Sequence, residues 1–154
     1  MNTVQSLDDL DLAGTLLSHS GITRIADLID LRLSGSRYFA NEYPNVITVN
    51  ELTDWDYYVQ FSPEVMDTLT EFKSKGELFS LTEAQANYTD NLAVSIFFGS
   101  DFQIVVRSDA ALYQKVIERI SPEFYRDYLW KSSQNGPNRE QIQRIFNQLF
   151  EMAK

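Results

Sequence analysis

The chain has 154 residues but no cysteine and only one histidine. The first absence removes disulfides, thiolate zinc sites and cysteine nucleophiles together. The second leaves no histidine pair for a metal and makes a Ser-His-Asp triad hard to assemble, so His19 reads as a helix-end or surface residue. No segment approaches the roughly 18 consecutive apolar residues of a membrane span. Met1-Asn2-Thr3-Val4-Gln5-Ser6 lacks the basic and apolar regions of a signal peptide, and the expectation is a soluble, cytoplasmic chain with no membrane partner. Positive charge is also scarce: 13 Lys and Arg face 22 Asp and Glu, a net charge of -9. That balance argues against broad, nonspecific nucleic-acid binding, which relies on cations displacing phosphate counterions. Repeats, low-complexity blocks and linkers are absent too.

What is present is 44% hydrophobic and 13% aromatic content, enough at this length for one packed core and too little chain for two. A single domain over 1–154 is expected. Its charge is uneven: residues 1–110 carry 17 acidic and 6 basic side chains, and residues 111–154 carry 5 and 7. Lys115, Arg119, Arg126, Lys131, Arg139 and Arg144 either face an anionic ligand or, more plainly, lie on solvated helix faces. The acidic remainder offers a surface for a basic protein partner.

Apolar spacing predicts helices through Leu7, Leu10, Leu12, Leu16 and Leu17, and through Ile22, Ile25, Ala26, Leu28 and Ile29. Asp30 to Ser34 alternates as a short strand running into Gly35-Ser36, and aromatic-rich Asp54 to Phe61 reads as another strand. Ser62-Pro63 opens a helix that ends at Gly76. Leu92 to Phe98 and Phe102 to Arg107 flank Gly99-Ser100-Asp101 as a hairpin. Helices then start at Ser108-Asp109 and Ser121-Pro122, and a last one carries Ile142, Ile145, Phe146, Leu149 and Phe150. The fold class is α+β: a small mixed sheet with flanking helices and a helical C-terminal segment.

The chemistry centres on Asp54 and Asp56. Carboxylates two apart on an extended segment share a face, which suits one or two divalent cations beside a phosphate. Gly35-Ser36 supplies close backbone approach and amide donors. Arg37 adds a planar fork for phosphate oxygens. Trp55, Tyr57 and Val59 would share one strand face, with Asp56, Tyr58 and Gln60 on the other. An ordinary half-exposed strand has that pattern as well.

In this order, Gly35-Ser36 and then Asp54-x-Asp56 on a strand, the chain resembles the nucleotidyltransferase superfamily, polymerase-beta-like and minimal members included, over about residues 28–107. Residues 108–154 resemble the helical appendage of such proteins, and small members of this type occur in phages. The resemblance implies Mg2+ held by Asp54 and Asp56, with Gly35, Ser36 and Arg37 binding nucleotide. It implies transfer of a nucleoside monophosphate from an NTP to a hydroxyl on a protein, RNA or small molecule. Two departures stand out. Gln103 occupies the position of the third carboxylate, with Asp101 as a stand-in one pair away, and the Ser36-to-Asp54 connection is long. A catalytically degenerate relative acting as an acidic binding or inhibitory module is the alternative. Among lesser candidates, Asp8, Asp9 and Asp11 read as helix N-terminal charges, Glu51 as solvated, and Tyr125, Tyr128 and Trp130 as core aromatics.

Overall fold

The strand Phe102–Arg107 is almost wholly buried, with Phe102, Ile104, Val105, Val106 and Arg107 all removed from solvent. A near-continuous apolar run of this kind marks a strand covered on both faces. The computed structural model, which describes residues 16–81, 93–130 and 139–154, places it at the centre of a five-stranded sheet. In chain order the elements are α1 (Thr23–Ala26), β1 (Arg32–Ser34), α2 (Gly35–Glu42), β2 (Trp55–Gln60), α3 (Pro63–Ser74), β3 (Phe79–Leu81), β4 (Ala93–Phe98), β5 (Phe102–Arg107), α4 (Ala110–Arg119), α5 (Pro122–Phe124) and α6 (Arg139–Ala153). A 3-10 turn at His19–Gly21 precedes them, and a π turn at Tyr125–Trp130 follows α5.

The strand order is β1-β2-β5-β4-β3, with β2 and β5 parallel and every other pair antiparallel. Alternation then sorts the side chains. Trp55, Tyr57 and Val59 of β2 join Phe102, Ile104 and Val106 of β5 on one face, packed against Ile22, Ile25 and Ile29 around α1 and against Val65, Leu69 and Phe72 of α3. On the other face Tyr58 packs with Ala110 and Ile117 of α4, and beyond them Phe39, Val116 and Phe150 tie α2, α4 and α6 together. The result is a mixed α/β fold with helices over both sheet faces. No helix among the described residues is long and apolar enough to cross a membrane.

Start signals act where expected: the Ser62 and Ser121 hydroxyls accept from the amides of Val65 and Phe124, each with proline in the first turn. Three expectations need correction, and one strand was missed. Leu16 and Leu17 are not helical; the Leu17 amide instead donates to the Glu77 carbonyl at 2.8 Å. The helix expected over Ile22 to Ile29 is confined to one turn, with Ile22, Ile25 and Ile29 all buried. The helix from Ser121 changes to a π turn after three residues. The edge strand β3 was not foreseen, since three residues are too few for a periodicity. Asp8, Asp9, Asp11 and Lys131 lie outside the described residues, as do the side chains of Tyr128, Trp130, Arg139, Ile142 and Phe146.

At the end of β5 the fully buried Arg107 pairs with Asp109 through Nε and Nη2, at 2.9 and 3.2 Å, and lies 4.1 Å from the Tyr113 ring centroid. Asp109 therefore spends its carboxylate on Arg107 and makes no side-chain cap for α4. A buried carboxylate left without its cation is strongly unfavourable, so Arg107→Ala should lower stability in urea denaturation by about 3–5 kcal/mol. Arg24→Ala, which removes a half-exposed guanidinium paired with Glu77 and lying over the Phe72 ring, should move the midpoint much less.

Candidate functional site

The register of the sheet builds the site. Ser34 pairs with Asp56 across β1 and β2, and Asp56 pairs with Gln103 across β2 and β5. The three residues form one row, on neighbouring strands about 4.8 Å apart. They line a small open pocket of about 80 Å³ together with Gly35, Tyr58, Val105, Arg107 and Tyr113.

Directly after this row the chain turns into α2, and Gly35 makes the turn possible. Its φ is +67°, a left-handed value that favours glycine. A Cβ there would overlap Asp56 Oδ2 and come within 3.0 Å of Asp56 Cβ and Cγ. The first turn of α2 thus lies against the Asp56 carboxylate. Ser34, at the cap position, makes no side-chain cap; its hydroxyl donates to the Asp56 carbonyl at 3.3 Å. Gly35→Ala should be destabilising by about 1–3 kcal/mol from the backbone alone, with the overlap added. In an Asp56→Ala background the cost should shrink toward the backbone part, and equal costs in both backgrounds by chemical denaturation would contradict this contact.

Burial raises the Asp56 carboxyl to about 6, the charge of Asp54 adds to the rise, and a hydrogen bond from Gln103 opposes it. Asp54 lies more open, one residue before β2. Partial desolvation raises it too, Asp101 contributes in the same direction, and Arg37 counteracts. The folded chain therefore holds the Asp56 proton more tightly than the unfolded chain, whose carboxyl titrates near 3.8. Stability falls as pH climbs from about 4 to 6, and the deficit, about 3 kcal/mol, is complete above that window. Asp56→Asn should accordingly raise the melting temperature at pH 7.5 and flatten its pH dependence between 4 and 6, as read by thermal denaturation across pH. A variant less stable than the parent at pH 7.5 would show that Asp56 serves the fold.

The other candidates are placed as follows. Asp101 sits in the turn before β5, where Oδ1 accepts the His19 amide at 2.7 Å. His19 opens the 3-10 turn, a helix-end position as expected, and is half-buried: its ring stacks on Trp55 at 3.8 Å, and Nε2 lies 2.6 Å from the Tyr57 hydroxyl. Burial lowers its pKa. Arg37 donates to the Thr53 and Asn50 carbonyls and lies 3.9 Å from the Trp55 ring centroid. Ser36 is buried, and its side chain hydrogen-bonds the Tyr125 phenol, which burial and Asp56 raise. Tyr125 itself stacks on Phe39 at 4.1 Å. The Ser36 hydroxyl is thus committed within the fold. Glu51 is exposed, as are Lys115, Arg119 and Arg144.

Among the described residues no three or more His, Asp or Glu side chains stand together as a protein-only metal site. Two hard carboxylates still fit Mg2+, which is bound by one or two carboxylates plus substrate phosphates and waters. The pocket residues Tyr58, Arg107 and Tyr113 were not foreseen as part of the site. Strand alternation alone carries part of the signal, since Asp56 and Tyr58 share a face, as do Gln103, Val105 and Arg107. No protein-family model, curated protein or solved structure matches this chain.

Proposed function

We propose that the chain is a nucleotidyltransferase-like protein that moves a nucleoside monophosphate from an NTP to an acceptor hydroxyl. The observation that carries this is Asp56, which lines the pocket and lies against a helix start that glycine at position 35 allows, with the like charge of Asp54 two residues before it. Two mutually repelling carboxylates, one of them half-buried, lower stability. A carboxylate such as Asp56, whose charge opposes folding and which lines a pocket, is characteristic of a site kept for chemistry.

Asp54 and Asp56 are the Mg2+ ligands; when bound, the ion neutralises phosphate charge and polarises the phosphoryl oxygens. The main-chain amides of Gly35 and Ser36 bind and orient the terminal phosphates. In the transfer, the acceptor oxygen forms a bond to the α-phosphorus, the bond from that phosphorus to the α,β-bridging oxygen breaks, and pyrophosphate leaves. The acceptor proton is given up to solvent water as the new phosphorus–oxygen bond forms.

Gln103 favours a second reading. It cannot carry charge or take up a proton, so a relative that has lost catalysis and serves as an acidic binding or inhibitory module is the alternative.

Incubation with each NTP and Mg2+ should release pyrophosphate. Asp54→Ala plus Asp56→Ala should abolish the release while circular dichroism remains that of a folded chain. Mg2+ with NTP should raise the parent's melting temperature and not the double variant's. Activity retained in a folded double variant would reject the assignment, and a parent that neither turns over NTP nor responds to Mg2+ favours the binding module.

A further inference from the structure

Asp54 sits between two fastened peptide units. The carbonyl before it, that of Thr53, accepts from Arg37 Nε at 3.0 Å and from Nη2 at 2.6 Å. The amide after it, that of Trp55, donates to the Asp101 carbonyl at 3.1 Å. The loop leading in is closed on itself: the Thr53 amide donates to the Asn50 carbonyl at 3.1 Å, the Leu52 amide to Asn50 Oδ1 at 2.8 Å, and the Asn50 amide to Thr53 Oγ1 at 3.2 Å. Arg37 Nη2 also reaches the Asn50 carbonyl, at 3.1 Å, so one guanidinium joins both ends of the loop. The Trp55 ring beneath it fixes the guanidinium plane.

The geometry points to Arg37 as a positioning residue for Asp54: by holding the Thr53 carbonyl it sets where the next residue's carboxylate stands, instead of binding phosphate itself. Loops are the least exact supports for a functional group, and a planar fork on main-chain oxygens is one way to make such a loop rigid. Arg37 stands two residues after Gly35 on α2, so the helix that brings amides to the site also orders the loop that brings Asp54. Both halves of the site then move as one body. The consequence for metal affinity rests on Asp54 being a ligand, as proposed above; the ordering of the loop does not.

Hydrogen exchange on the full-length, metal-free protein tests the loop directly. Arg37→Lys keeps the charge and loses the fork, and the Leu52 and Thr53 amides should exchange about tenfold faster or more, with the core amides unchanged. Thermal-shift titration with Mg2+ alone should give a midpoint about tenfold higher for Arg37→Lys and for Asn50→Ala, the range seen when a residue supporting a metal ligand is lost. NTP binding measured without magnesium should stay within about twofold of the parent, the scatter expected at a site not touched. Unchanged exchange at Leu52 and Thr53 would overturn the proposal. So would Arg37→Gln losing magnesium-free NTP binding while the loop amides remain protected, since that identifies a direct phosphate ligand. A parent blind to Mg2+ would reject the proposed function and leave the exchange result to decide the role of Arg37. If Arg37→Lys does not fold, Arg37→Gln and Asn50→Ala give the same two readouts.

Discussion

Everything in this molecule turns on the parallel pairing of β2 with β5. That pairing buries β5 on both faces and sets Asp56 opposite Gln103. Because side chains alternate along a strand, a slip of one residue would send Asp56 into the apolar cluster under α3 and bring Trp55 or Tyr57 to the pocket. Ile104 and Val106, both fully buried, make that slip prohibitive. The hydrophobic core of one face thus dictates the chemistry presented on the other.

The site that results is electrostatically uneasy. Asp54 raises Asp56, Asp101 raises Asp54, and Arg37 is the nearby cation that opposes the rise in Asp54. Gln103 relieves the pair by donating a hydrogen bond to Asp56 without adding charge. A third carboxylate in that position would add like charge beside Asp56 and weaken the fold further. The amide satisfies Asp56 without that added charge.

What could be read from the sequence was local. The alternation of Trp55 to Gln60, the serine-proline starts at Ser62 and Ser121, and the Gly99-Ser100-Asp101 hairpin each lie within a few residues of their cause. The faces of β2 were legible for the same reason. What could not be read depends on partners far along the chain. His19 reaches Tyr57 and Asp101, 38 and 82 positions away, and nothing in the segment around it names those contacts. Arg37 offers the same donors to a phosphate as to the Thr53 carbonyl, so its residue type alone does not choose. Nor did its basic end reveal that β5 closes on a buried ion pair; only the fold puts Asp109 beside Arg107. In the candidate site, the carboxylates were legible as a pair and Gly35 as a turn residue, but their mutual contact was not.

Trp55 has one more consequence. Its indole is stacked on His19, carries Arg37 over its ring and stands next to Asp54 in the chain. Light absorbed there is emitted from a ring whose neighbours are the same groups that order the site, so with Trp130, the other tryptophan, replaced by phenylalanine the protein carries its own optical gauge of that region. A change in how His19 or Arg37 sits on the ring would alter the colour and yield of the emission without any attached label.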